Sequence, residues 1–81
     1  MVTRLYTIHD RVACESGPIF EARNDGVALR NYSNLIQKQE ADTSEYKLLC
    51  IGIMDHDTSK VESFDIPQEV IPTVETEETP F

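Results

Sequence analysis

In Tyr46-Lys47-Leu48-Leu49-Cys50-Ile51-Gly52-Ile53-Met54, apolar side chains occupy both alternating sets of positions. Successive side chains of a strand point to opposite faces, so a run that is apolar on both belongs in the middle of a sheet. The rest of an 81-residue chain must therefore supply strands on each side of it and a covering layer.

The covering layer is legible as a helix from about Asp25 to Gln39. Ala28, Tyr32, Leu35 and Ile36 share one apolar face with Leu29 on its flank, while Arg30, Asn34, Gln37 and Lys38 fall opposite. Asn24 or Asp25 is its expected cap, because either side-chain oxygen can accept a first-turn N–H. Residues 2–13, rich in β-branched and aromatic types, predict a strand with Tyr6 and Ile8 on one face and Thr7 and His9 on the other. Ser16-Gly17-Pro18 breaks that run, and Ile19–Ala22 reads as a short extended segment. Asp55–Ser59 has turn chemistry, and Lys60–Phe64 is the returning hairpin strand.

The order β(β)αββ predicts an α+β fold, a small antiparallel sheet of three to four strands with one helix packed on a face. Residues 1–66 form the core domain. Residues 67–81, with Pro67, Pro72 and Pro80 among Glu, Thr and Val, are expected as an extended or disordered acidic tail. The core is thin enough that a homodimer or larger homo-oligomer is expected.

Catalytic and metal chemistry find little footing. Cys14 and Cys50 lie 36 positions apart without a CxxC or Cys/His grouping, so they read as buried small apolar residues. Asp55–Ser59 resembles the start of a calcium loop, but Lys60 stands where such a loop needs glycine and Ile66 where it needs glutamate. His9 and His56 have no sequence context that marks a nucleophile, and Gly17, Gly26 and Gly52 form no phosphate-binding loop. The expectation is a non-enzyme with no metal and no cofactor. No apolar run is long enough to cross a membrane as a helix, and MVTRLYTIHDR lacks a signal peptide's hydrophobic stretch. A cytoplasmic protein is expected.

The net charge of −8 divides unevenly. Up to Val61 seven basic residues face nine acidic ones, whereas from Glu62 onward there are six acids and no base. A nearly neutral body can still offer cations to an anionic partner. Arg4, Arg11, Arg23, Arg30, Lys47 and Lys60 are the candidate phosphate contacts, with Lys38 as a further body cation and Phe20, Tyr32 and Tyr46 interleaved. Arg4 and Tyr6 share a strand face and are the most credible surface pair for single-stranded nucleic acid, a cation beside a stacking ring. The competing reading makes Phe20 and Tyr32 core residues and the charges ordinary solvated surface.

The blocks TIHDRVA, GPIFEARNDGVALRNY and YKLLCIGIMD followed by a short acidic turn occur in that order. Over roughly residues 4–62 they resemble the small non-structural protein of gokushovirus-type microviruses, single-stranded-DNA phages. The most specific piece is Phe20-Glu21-Ala22-Arg23-Asn24-Asp25 followed by Ala28-Leu29-Arg30. The resemblance implies a protein of the infected bacterium's cytoplasm acting in viral single-stranded DNA synthesis or packaging, by non-sequence-specific single-stranded DNA binding. It transfers Arg23 and Arg30 as residues of interest and no catalytic residue.

The final VETEETPF is similar to the acidic Pro-Phe tip of bacterial single-stranded-DNA-binding proteins. Glu75, Glu77, Glu78, Pro80 and Phe81 are thus candidates for binding a host replication protein. The ring suits an apolar pocket, the terminal carboxylate an adjacent cation, and the glutamates steer the encounter. The same acids could instead compete with DNA phosphates for the body's cations. A protein–protein adaptor or inhibitor of host replication factors that never touches DNA is the alternative function. A virion or scaffolding component is a third.

Overall fold

The computed structural model describes residues 1–71. Five strands and one α-helix follow in the order β1 (Val2–Asp10), β2 (Glu15–Ser16), β3 (Phe20–Ala22), α1 (Asp25–Lys38), a short 3₁₀ turn (Thr43–Glu45), β4 (Tyr46–Asp55) and β5 (Lys60–Val70). All pairings are antiparallel. β1 and β4 are central, β2 and β3 both flank the outer side of β1, and β5 lies beyond β4. The expected α+β class with a helix on one face holds, and β4 is central as its two apolar faces require. The short β2 brings the sheet to five strands.

The core lies between α1 and one face of the sheet. Ala28, Tyr32 and Ile36 pack with Tyr6, Ala22, Leu48, Cys50 and Val70, all buried. Tyr6 and Leu48 are the large side chains fully shut from water. Asn24 caps the helix, its Oδ1 accepting from Val27 N at 3.0 Å. The far end closes with Glu40 in the left-handed region (φ 54°), while Ala41 N reaches back to Ile36 O at 3.0 Å. That return is a Schellman arrangement, and Ala41 supplies its apolar contact to the core.

Two hairpin loops are built alike. Asp10 Oδ1 accepts from Val12 N at 2.9 Å, Cys14 N closes on Asp10 O at 2.8 Å, and Cys14 takes a positive φ. Asp55 does the same for Asp57 and Ser59, at 2.9 and 2.8 Å, with Ser59 at φ 64°. Aspartate side chains favour such turns because they satisfy backbone donors locally. Hence β1 stops at Asp10 rather than running to residue 13. The expected buried Cys14 is corrected here too. It lies in this loop and is exposed, whereas Cys50 is buried, and both are free thiols.

The expected boundary at residue 66 also moves, because β5 runs on to Val70. β4 pairs Gly52 with Ser63 and then Cys50 with Gln68, so residues 64–67 pass Ile51 without ladder partners. Pro67 falls in that irregular stretch, where its missing N–H costs no ladder bond, and regular pairing resumes after it. Pro67 together with Glu62, Asp65 and Glu69 blunts the outer edge of β5 against further strand addition. No helix among the described residues is long and apolar enough to cross a membrane.

Candidate functional site

The surface pair expected at Arg4 and Tyr6 is not a surface pair. Arg4 and Tyr6 do share a face of β1, but it is the face that α1 covers, and the exposure of Tyr6 is 0 %. Its ring stacks on Phe20 with centroids 5.7 Å apart, and its hydroxyl donates to Asp25 Oδ1 at 2.7 Å. Burial first, then this hydrogen bond, pushes the phenol above its ordinary range. No base can stack on that ring. Arg4 is half-buried, and its Nε donates to both the Tyr6 hydroxyl and Asp25 at 3.2 Å. It is a clamp between β1 and the helix start.

The remaining predicted cations are dispersed. Arg11 sits exposed in the β1–β2 loop, its backbone N donating to Glu45 O at 2.8 Å. Lys47 is half-buried on β4 opposite His9, and Lys60 begins β5 opposite Asp55. Arg23 precedes the helix cap and Arg30 lies on the outward side of α1, both exposed. Tyr32 and Phe20 belong to the core and its margin, as the competing reading had it. Glu75, Glu77, Glu78, Pro80 and Phe81 lie outside the described residues.

One group of cations does form a surface. Arg30, Asn34, Gln37 and Lys38 recur at helical spacing along the exposed side of α1, with Arg23 ahead of its first turn. After Asp25 no acidic residue occurs until Glu40, although acids outnumber bases fifteen to seven in the whole chain. Among the described residues Arg4 alone of the lysines and arginines makes a salt bridge, so Arg23, Arg30 and Lys38 have their charges uncommitted. Lys38 was legible as a helix-face cation from its spacing, but only the fold aligns it with the others.

A second feature had no sequence signal, because distant segments build it. An open cleft of about 780 Å³ runs between the C-terminal half of α1 and the sheet end that carries the β1–β2 loop. Ile8, Phe20, Tyr32, Leu35, Ile36 and Tyr46 make its walls. Asp10 and Glu15, cross-strand partners, stand on its rim. The phenol of Tyr32 is raised above its usual range, mainly by burial and further by the charge of Glu69.

A third cluster lies at the other end of β1. Thr3 is buried, its Oγ1 meeting His56 Nε2 at 2.9 Å and donating to Glu21, which also holds the His56 ring. The hydrogen bonds from Thr3 and then His56 keep the Glu21 carboxyl below the usual carboxylate range. This ties β1, β3 and the β4–β5 loop together. The arrangement has a hydroxyl, an imidazole and a carboxylate, but both partners meet the same ring nitrogen. No relay from carboxylate through imidazole to hydroxyl is therefore possible.

No curated protein and no solved structure matches the chain. The family model of the Phage ORF5 protein matches residues 3–76, which takes in all of the strands but the first residue of β1, the helix and both surfaces described above. The chain therefore belongs to the Phage ORF5 protein family.

Proposed function

We propose that this phage protein is a non-catalytic accessory factor in viral single-stranded DNA synthesis or packaging. It works in the cytoplasm of the infected bacterium by binding single-stranded DNA without sequence preference. The observation that carries the reading is the acid-free outward face of α1. Arg30 and Lys38 stand there beside the amides of Asn34 and Gln37, with Arg23 ahead of the first turn, and none of the three cations has a salt-bridge partner among the described residues. Such a face engages backbone phosphates, and the amides reach sugar or base edges without demanding a sequence. With Tyr6 buried, stacking contributes little and affinity is mainly electrostatic.

The acidic segment ending in Pro80-Phe81 has two roles in this proposal, recruiting a host replication protein and competing with DNA phosphates for the helix face. The resemblance to gokushovirus non-structural proteins and to bacterial single-stranded-DNA-binding tips supports it. An assembly of two or more copies would align several helix faces along one strand.

The test is anisotropy of a labelled oligothymidylate across a salt series, with full-length protein and with residues 72–81 removed. The deletion starts at 72 because residues 67–70 belong to β5. Three phosphate contacts give a log–log salt slope of roughly −2, and changing Arg23, Arg30 and Lys38 together to Ala abolishes it. Removing the tail tightens binding. Deleting Phe81 alone spares DNA binding and loses the host partner. Absence of binding at low salt by either form rejects the DNA reading and leaves the adaptor, the alternative that the apolar cleft favours.

A further inference from the structure

We infer that the cleft between α1 and the β1–β2 hairpin is a docking groove for a basic, apolar-anchored segment of a partner protein. This surface is separate from the outward helix face and does not depend on DNA binding. The walls provide the anchor site. Phe20, Tyr32, Tyr46, Ile8, Leu35 and Ile36 converge on a space of about 780 Å³, within the usual range of roughly 300–1,000 Å³ for ligand pockets. Leu35 of its wall is 41 % exposed, and Val12 and Ile19, next in the chain to the lining residues Ala13 and Phe20, are 72 % and 62 % exposed. Such a grouping on a small domain marks a surface that is covered in use.

Charge identifies the occupant. Among the described residues no lysine, arginine or histidine lines the cleft, while Asp10 and Glu15 do. These two acids face each other across β1 and β2, an unfavourable like-charge pair, and neither has a salt bridge among the described residues. The C-terminal end of α1, which carries the negative end of the helix dipole, opens at the same cleft through Gln39. All three features attract a cation placed beside an apolar anchor. They disfavour the chain's own acidic segment with Glu75, Glu77 and Glu78. They also disfavour a symmetric cleft-to-cleft dimer, which would bring four rim acids together.

The test uses two fluorescein-labelled amphipathic peptides with the same leucine pattern, one with lysine and one with glutamate on the polar face. The lysine peptide is expected to bind full-length protein at least about tenfold more tightly, since rim charges of opposite sign both attract one and repel the other. Neutralising the rim with Asp10→Asn and Glu15→Gln should shrink that ratio to about threefold or less. Leu35→Asp at the cleft mouth should weaken the lysine peptide by about tenfold even though it adds a negative charge, which separates seating in the cleft from attraction to an acidic protein. Circular dichroism confirms that each variant is folded. Amide shifts on titration should cluster at Ser16, Gly17, Asn31 and Gln39. Equal binding of both peptides, unchanged or tighter binding by Leu35→Asp, or shifts confined to the outward face of α1 would overturn the proposal. So would a dimer that Leu35→Asp converts to monomer, because a second copy would then be the occupant.

Discussion

The Tyr6 hydroxyl donates a 2.7 Å hydrogen bond to the Asp25 carboxylate, tying the middle of β1 to the first residue of α1. Arg4 Nε approaches the same carboxylate oxygen at 3.2 Å. Two side chains of β1 and a carboxylate 19 positions after Tyr6 thereby fix where the helix begins above the sheet. Tyr6→Phe keeps the ring and its stacking on Phe20 but removes the donor. It should cost about 1–2 kcal/mol, the range for a hydrogen bond to a charged but partly hydrated acceptor. Urea unfolding measures it, and a loss below about 0.3 kcal/mol would mean that water replaces the bond at no cost.

Acid should destabilise the fold through Glu21. Its folded-state pKa is lowered by Thr3 and His56, so the ionised form is the one the fold prefers. The contribution is present above the unfolded value, about 4.3 for glutamate, and is lost as pH falls through the lowered folded value. Glu21→Gln should flatten the acid limb of the stability profile. Some slope should survive, because Asp42 is lowered in the same sense by the backbone N–H and then the hydroxyl of Ser44. An unchanged limb in Glu21→Gln would show that the cluster is not formed in solution.

Three non-glycine residues sit in the left-handed region with exposed side chains, Cys14 at φ 60°, Ser59 at φ 64° and Glu40 at φ 54°. Glycine adopts that conformation without the Cβ clash, though it loses more entropy on folding. Ser59→Gly and Glu40→Gly should each stabilise by about 0.5–1 kcal/mol, visible as a rise in thermal midpoint of a few degrees for a domain this small. A fall in either midpoint would contradict the turn geometry.

Gly52→Ala should do the reverse. A Cβ at Gly52 would lie 2.4 Å from Glu62 O and 3.1 Å from Ser63 Cα, both backbone atoms of the partner strand that cannot swing away. The cost should be about 1–3 kcal/mol or more. Amide exchange should quicken first where β4 pairs with β5, and a neutral effect would place β5 further from β4 than described.

The two thiols should differ in reactivity. Cys14 is exposed in the β1–β2 loop, whereas Cys50 is buried at 0 % exposure. Ellman's reagent should modify one thiol per chain quickly and the second only at the rate of unfolding. Two fast equivalents would argue against the central position of β4.

How much of this was legible in the sequence follows from how local each cause is. The helix read as Asp25 to Gln39 is observed as Asp25–Lys38 with Gln39 as its cap residue, because cap and apolar stripe are written within a single segment. β4 was central for the same reason. Tyr6 was misplaced because alternation puts it on one face with Arg4 and Ile8 but does not say that α1 covers that face. Pro67 was assigned to the tail because its tolerance within β5 depends on the missing ladder partners opposite Ile51. The cleft needed Ile8, Tyr32 and Tyr46 from three elements, and no window of sequence holds them together. On the helix, Arg30 and Lys38 were visible, but their isolation from acids across the surface was not.

Ile51 carries one further implication. β1 pairs Leu5 with Gly52 and Tyr6 with Cys50, so each neighbour of Ile51 on β4 already has its partner on β1. A chain without Ile51 could make every one of those pairings in an unbroken ladder. The extra residue therefore adds no partner to β1. What it adds is a bend in one of the sheet's two central strands. Chain length in the middle of the molecule has been converted into curvature, and one helix is enough to close over a sheet so bent.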